Sequence, residues 1–299
     1  MSLRGQNLRV LVKNGDKYEV VAEATNCTIT LGTNIQDEST KDVVGSFMLP
    51  TVVSKSWNIT VESLSVLDAA TILTKIKNME AFDVEWDETG PIDNQTPVKV
   101  DYSRRGKAYL NDVTFNWNNR ELSTKSIQFT GNGPIALVSS TADSRVITRQ
   151  YSEYGQFVRL FLEESATATK VIAAARQLSL HISMTLEDAS TKDTDGGWQY
   201  QEPTGLSYDI STTALVYSSE TITSEVDGTE LPDIMNAYNI DNSMVFKIAN
   251  VSGDNNRTAS TTICSGQVTV SNLQINAPNR QLATYTAQLQ GIGPYVVGQ

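Results

Sequence analysis

The segment VVAEATNCTITLGTNIQDESTKD, residues 20–42, has a second version in the same chain. It aligns without a gap with VIAAARQLSLHISMTLEDASTKD, residues 171–193, at an offset of 151. In both versions apolar and polar residues alternate ahead of the shared ending D-x-S-T-K-D. Because alternation with a period of two is typical of a half-buried strand, each version predicts a strand that leads into a charged motif.

A second repeated block lies further along the chain. The segment NWNNRELSTKSIQFTGNGP, residues 116–134, aligns with NAPNRQLATYTAQLQGIGP, residues 276–294, at an offset of 160. Since the two blocks occur in the same order in both halves, we interpret the chain as an internal duplication. We expect a first domain over residues 1–135, a linker over 136–156 and a second domain over 157–299, each of ordinary domain size.

The sequence between the repeats predicts many strands and little helix. Alternating patterns mark five strands in the first half, at residues 8–12, 28–31, 57–64, 113–117 and 126–130. Helical spacing occurs once in each half, over residues 67–79 and 230–240. The fold class is therefore mainly β: two tandem copies of a β-sandwich or partly closed barrel, each with one flanking helix.

Acidic residues outnumber basic ones, with 34 Asp and Glu against 23 Lys and Arg and a net charge of −11. A protein that grips nucleic acid needs cationic contacts to the phosphates, so this balance argues against specific DNA binding. The N-terminal residues MSLRGQNLRV lack the apolar core of a signal peptide, and no apolar run approaches the roughly 20 residues of a membrane span. We expect a soluble cytoplasmic protein with no membrane partner.

Few residues are suited to catalysis or metal binding. Two cysteines, Cys27 and Cys264, and one histidine, His181, are too few for a cysteine–histidine zinc cluster or a disulfide framework. A Ser-His-Asp triad would depend on His181 alone, and we expect this residue to be an outward-facing strand residue. The sequence therefore predicts no enzyme and no catalytic, metal or cofactor site.

Three other motifs have a structural interpretation. The acidic pairs at residues 87–88 and 163–164 are typical of solvated turns. The sequence DTDGG, residues 193–197, lacks the further ligands of a calcium loop. The GNGP and GIGP motifs are not followed by the helix that a phosphate site needs, so we expect each to end the last strand of its domain.

Two long connecting segments stand out, at residues 43–56 and 194–207. Each follows the charged motif and carries apolar or aromatic side chains that are costly to leave in water. We therefore expect these segments to contact a neighbouring subunit or the next ring of an assembly. The candidate contact residues are Lys41, Asp42, Phe47, Met48, Lys192, Asp193, Trp198 and Tyr200.

The order of these motifs is the same in both halves: a strand, D-x-S-T-K-D, a long segment, an S-W/Y-x-I strand, a helix, further strands, and R-x-L followed by G-x-G-P. This order resembles the major tail proteins, or tail-tube proteins, of long-tailed bacteriophages. The resemblance covers essentially the whole chain, once per half. It implies a tail-tube-like domain in each half, with two packed β-sheets and a flanking helix.

The resemblance also implies a function: self-assembly into six-fold rings that stack into a tube for genome delivery. The implied partners are other copies of the chain and other tail proteins, and DNA would pass through the acidic lumen without specific binding. The implied location is the virion tail, assembled in the host cytoplasm. Because the chain is duplicated, a ring needs either three chains or six chains that each span two layers, and symmetry favours three.

Two alternatives stay open at the level of sequence. One is a related ring protein at the tail tip or the tail terminus. The other is a two-domain β-sandwich module for binding or adhesion, which would predict a secretion signal. The second alternative would also predict an aromatic platform or a calcium site in each copy.

Overall fold

The computed structural model, described over residues 8–21, 24–40, 48–64, 69–88, 103–137, 144–146, 154–163, 170–172, 174–216, 231–239, 243–252 and 258–298, is mainly β. The strands are β1 (Leu8–Asn14), β2 (Lys17–Val20), β3 (Ala24–Asp37), β4 (Pro50–Ser63), β5 (Phe82–Glu88), β6 (Arg104–Asn118), β7 (Thr124–Leu137), β8 (Ser144–Val146), β9 (Val158–Glu163), β10 (Ala175–Asp188), β11 (Gln201–Leu215), β12 (Met244–Ser252), β13 (Thr258–Asn276) and β14 (Thr284–Val297). The helices are α1 (Ala69–Lys77) and α2 (Leu231–Asn239). The predicted mainly β class with a helix in each half is confirmed.

The described strands form one large sheet that is not closed into a barrel. The longest path through it runs β8-β2-β1-β5-β6-β10-β11-β14-β13-β12-β9. Strands β3, β4 and β7 branch from this path at β6, because β7 pairs with β6 and β4 pairs with both β7 and β3. The sheet thus runs without interruption from the first half of the chain into the second.

The same strand order occurs in both halves, as β3-β4-β7-β6-β5-β1 and as β10-β11-β14-β13-β12-β9, with every pairing antiparallel. The register also repeats: Asp37 lies opposite Pro50 on β3 and β4, and Asp188 lies opposite Gln201 on β10 and β11. β-Bulges recur at matching places as well, at residues 110–112 of β6 and 270–272 of β13. Strands β3, β4, β6 and β7 therefore correspond in pairing and register to β10, β11, β13 and β14 at the offsets of 151 and 160.

The glycine motifs lie inside the last strand of each half, which corrects the prediction that they end it. β7 continues past Pro134 to Leu137, and β14 continues to Val297. A β-carbon on Gly131 would come within 2.4 Å of the buried Trp57 ring, and one on Gly291 within 2.4 Å of the buried Tyr208 ring. The glycines are needed because these rings lie directly against the strand backbone.

The connecting segments are shorter than predicted. β4 begins at Pro50 and β11 at Gln201, so the second half of each expected loop, at 43–56 and 194–207, is strand. The N-terminal residues of β4 and β11 do not form a regular buried face. Most side chains of β3 are exposed as well. Without burial there is no apolar alternation, and a loop-like sequence results.

Each helix covers the sheet with a narrow apolar stripe. On α1 the buried residues are Ala69, Ile72, Leu73 and Ile76, a spacing that places them on one face. On α2 the buried residues are Ile234 and Ala237. No helix in the described ranges combines the length and apolar character needed to cross a bilayer.

Candidate assembly interface

The two halves meet through a strand-to-strand junction between β6 and β10. Residues 112–118 of β6 pair antiparallel with residues 177–183 of β10. The N-terminal part of β6 pairs with β5 instead, so β10 covers an edge of β6 that its own half leaves open. The side chains that this junction buries against the core are Val113, Phe115, Trp117, Leu178, Leu180 and Ile182. Removal of such apolar surface from water stabilises the junction beyond its backbone hydrogen bonds.

On the other face of the junction, His181 joins three strands. Its Nδ1 lies 2.7 Å from Asp209 on β11, and its Nε2 lies 2.8 Å from Asp112 on β6. Partial burial disfavours the charged ring, but the hydrogen bonds to the two carboxylates and their negative charges outweigh it and raise the pKa of His181. The half-exposed imidazole thus links the two halves electrostatically.

This arrangement differs from that of a catalytic triad. A triad histidine uses one ring nitrogen for an orienting carboxylate and the other for the nucleophile. In His181 both nitrogens contact carboxylates. Burial raises the pKa of Cys27 to about 11 and that of Cys264 to about 12, so neither is a thiolate at neutral pH. In the described residues, no group of three His, Cys, Asp or Glu side chains is placed to hold a metal ion.

The D-x-S-T-K-D motif of the second half holds the base of its connecting segment. Asp188 accepts a hydrogen bond from the Ser190 backbone N–H at 2.9 Å, and Ser190 Oγ accepts one from the Tyr200 N–H at 2.9 Å. The Ala189 N–H donates to the Tyr200 carbonyl at 2.8 Å. These bonds fix the position of Tyr200 relative to the end of β10.

The first half repeats this arrangement around Leu49, the counterpart of Tyr200. The Leu49 N–H lies 3.1 Å from Asp37 Oδ1 and 2.9 Å from Ser39 Oγ. The Ser39 hydroxyl donates a hydrogen bond to Asp37, and the Ser190 hydroxyl donates one to Asp188. These hydrogen bonds lower the pKa of both carboxyl groups. The spacing of Asp and Ser that the two halves share therefore has a structural role, because it closes the hairpin in each half.

The connecting segment of the second half lies on the first half. The Gln199 N–H donates to the Lys55 carbonyl at 2.9 Å, and the Gly133 N–H donates to the Gln199 carbonyl at 2.8 Å. The Lys55 ammonium lies 5.6 Å from the centre of the Trp198 ring. A β-carbon on Gly133 would come within 2.9 Å of the Tyr200 ring. Segment 194–200 therefore extends the junction beyond the paired strands.

Helix α1 completes the junction from the other direction. The Tyr295 hydroxyl on β14 donates a hydrogen bond of 2.8 Å to the carbonyl of Leu73 on α1. Both side chains are buried, although they belong to different halves. The junction thus has three parts: a strand pair, a connecting segment and a helix.

The predicted contact residues have different positions in the structure. Trp198 and Tyr200 contact the first half of the same chain, while Lys192 and Asp193 are exposed at a turn. Met48 is exposed as well. Lys41, Asp42 and Phe47 lie outside the described residues.

The sequence analysis did not identify the strand edges that pair at the junction. It also did not identify Lys55, Leu73, Gly133 and Asp112 as residues that contact the other half. A signal was present in the second copy of the repeat, which carries the apolar residues Leu178, Leu180, Ile182 and Met184 at alternating positions. The first copy has Cys27, Ile29, Leu31 and Thr33 at these positions. The stronger apolar pattern belongs to β10, which pairs with a strand on each of its two edges.

No protein-family model and no curated protein matches this chain. Among solved structures, the tail of an empty gene transfer agent particle with C6 symmetry matches with a TM-score of 0.38 and 10% identity, over 46% of this chain and 100% of that chain. The native virion of a gene transfer agent matches with a TM-score of 0.35 and 14% identity, over 48% and 98%. The SPP1 tail tube matches with a TM-score of 0.33 and 14% identity, over 48% and 77%.

Proposed function

We propose that this protein is a structural subunit of a bacteriophage tail tube, made of two tandem tail-tube-like domains over residues 1–135 and 157–299 with a linker between them. The observation that carries the proposal is the junction between β6 and β10. It joins two halves of the same strand order edge to edge. A chain that already contains one such junction can use the same type of contact to join further chains.

The open edges at the two ends of this arrangement are different from each other. β3 pairs only with β4, and the C-terminal part of β13 pairs only with β14 among the described strands. A contact between unlike surfaces is head-to-tail, and its repetition produces a closed ring or a filament. The order of motifs, which resembles that of tail-tube proteins, supports the ring and its stacking into a tube.

A ring of three chains is the arrangement that the junction supports best. The halves are neighbours within one sheet, so each chain supplies two lateral positions, and three chains supply six. Six chains that each span two layers would require the halves to meet along the tube axis. The side-by-side pairing of β6 and β10 supports the first arrangement.

The remaining parts of the proposal follow from this role. The protein acts in the virion tail, is assembled in the host cytoplasm, contacts other tail proteins, and requires no enzymatic activity. With a net charge of −11, the assembled wall repels DNA phosphates, so that the genome moves through the tube without specific binding.

Electron microscopy of the purified chain tests the proposal. We expect rings with six similar lobes that stack into long tubes, and three-fold symmetry in a cryo-EM reconstruction computed without imposed symmetry. Monomers at high protein concentration would contradict assembly. Single rings that never stack would point to a tail-tip or tail-terminator ring instead. Six identical subunits within one layer would contradict the trimer.

A further inference from the structure

We infer that β3 of one chain pairs with the C-terminal part of β13 of a second copy, in the register that β10 and β6 use inside the chain. This deepens the proposed function and rests on it only in assuming that chains assemble. Within the chain, Ile182 lies opposite Val113 and Leu180 opposite Phe115. The offsets of 151 and 160 convert these pairs to Leu31 opposite Leu273 and Ile29 opposite Ile275.

Exposure of the corresponding side chains supports this pairing. At the internal junction, where β10 and β6 pair, Ile182 is 1% exposed and Phe115 is 0% exposed. Their counterparts at the open edges, Leu31 and Ile275, are 62% and 48% exposed. Exposed apolar residues on an open strand edge are a liability that a partner strand removes. The open edges thus lack the neighbouring strand that the internal junction supplies.

In the first half, the residue that corresponds to Tyr200 does not cover any described glycine of the same chain. Tyr200 covers Gly133 inside the chain, and the counterparts of these residues are Leu49 and Gly293. Leu49 is 51% exposed, and a β-carbon on Gly293 would have nothing within 4 Å. Leu49 is nevertheless held by the motif hydrogen bonds in the same way as Tyr200. It is positioned to cover Gly293 of a second copy.

Helix α2 shows the same difference. When the two nine-residue helices are aligned end to end, Leu73 and Ile76 of α1 correspond to Met235 and Tyr238 of α2. The α1 residues are 0% and 1% exposed, whereas the α2 residues are 41% and 54% exposed. Leu73 contacts Tyr295 of the neighbouring half through its carbonyl. Among the described residues of the chain, none covers Met235 and Tyr238 in this way.

The surface that α2 would meet is at the end of β7. The counterpart of Tyr295 at the offset of 160 is Ile135, which is followed by the exposed Leu137. Strand edge, connecting segment and helix therefore require the same neighbour: the first half of the next chain placed beside the second half of this one. Three independent matches to one arrangement identify the partner as a second copy.

Polar residues distinguish the two junctions. The internal junction contains His181 between Asp112 and Asp209. The corresponding residues at the proposed junction are Thr30, Asn272 and Asn58, none of which is charged. The junction between chains is therefore apolar on one face and neutral and polar on the other.

Disulfide cross-linking tests the register. In a Cys27→Ser background, Thr30→Cys and Gln274→Cys place two exposed thiols directly opposite each other, because His181 and Thr114 are opposite in the internal junction. Cys264 is buried and does not interfere. A matched control combines Thr30→Cys with Asn276→Cys, which lies on the same face but two residues away, too far for an unstrained bridge.

We expect oxidation of the Thr30→Cys/Gln274→Cys variant to yield covalent dimers and trimers on a non-reducing gel, at least tenfold more than the control. Mixing the two single variants should yield dimers only, which shows that the bridge joins different chains. Equal cross-linking in the control, or absence of cross-links in the variant, would overturn the inferred register.

The outcomes separate this inference from the proposed function. If electron microscopy shows tubes but no specific cross-links form, the inferred register is overturned and the proposed function as a tube subunit is retained. Specific cross-links between chains that never form tubes would support the register and overturn the tube. Cross-linked species that extend beyond three chains would support the register and overturn the trimeric ring.

Discussion

Tyr200 lies against Gly133, so that a β-carbon on this glycine would come within 2.9 Å of the tyrosine ring, although the two residues belong to different halves of the chain. At the corresponding Gly293, a β-carbon would have nothing within 4 Å. Both glycines have positive φ angles, 83° and 65°. Both glycines therefore have a positive φ that other residues rarely adopt, but only Gly133 is covered by a side chain.

This pair of glycines gives a matched experiment. Alanine at either position is strained by the positive φ, at a cost of roughly 1–2 kcal/mol. Gly133→Ala must also displace Tyr200, which adds about 1–3 kcal/mol of overpacking. Urea unfolding of the unassembled chain should therefore show a larger loss for Gly133→Ala than for Gly293→Ala. Equal losses of unfolding free energy in the two variants would contradict the packing of Tyr200 against Gly133.

The glycine beneath Trp57 should be equally intolerant of a side chain. A β-carbon on Gly131 would come within 2.4 Å of the buried indole, so we expect Gly131→Ala to lower the free energy of unfolding by about 2–3 kcal/mol. Gly205→Ala is the control, because its β-carbon would have no neighbour closer than 3.7 Å. Thermal or urea unfolding measures both. A loss in Gly205→Ala as large as that in Gly131→Ala would show that the effect is not due to the indole.

The His181 contacts should make stability depend on pH. The folded-state pKa is raised, so the contribution of the protonated ring is fully present below the unfolded pKa of about 6.5 and is lost as pH rises through the folded value. His181→Gln should therefore reduce the melting temperature at pH 5.5 and have a much smaller effect at pH 9. An Asp112→Asn variant should weaken the same dependence, since it removes one of the two carboxylates. A loss in His181→Gln that is the same at both pH values would contradict an electrostatic link.

A charge on the open edge should block assembly without unfolding the chain. Leu31 is exposed in the single chain, so Leu31→Lys should change the free energy of unfolding by no more than about 0.5 kcal/mol. The same lysine would be buried in the proposed junction and should prevent rings and tubes in electron micrographs. Ala70→Lys, on the exposed face of α1, serves as the control and should assemble normally. Tubes formed by Leu31→Lys would show that this edge remains open in the assembly.

The repeats and their alternation were sufficient to predict the mainly β class, the position of one helix in each half, and the correspondence of the D-x-S-T-K-D and G-x-G-P motifs. These features are local, since strand alternation and helical spacing depend on which faces of a short segment are buried. The ends of strands were harder to place. Pro50–Ser63 begins in an exposed region where no buried face imposes alternation.

The repeats do not show which strands pair at the junction between the halves, although the stronger apolar pattern of β10 distinguishes it from β3. Its partners are far apart in the chain, as in the contacts of Leu73 with Tyr295 and of Lys55 with Gln199. Their positions depend on which strand edges remain open after each half has folded. Two nearly equivalent segments, β3 and β10, accordingly differ in surroundings: among the described strands, β10 is paired on both edges and β3 on one. Local pattern specifies the strands, whereas the neighbour of each edge follows from the three-dimensional arrangement of the sheet, because edge pairing is a long-range contact that no local periodicity encodes.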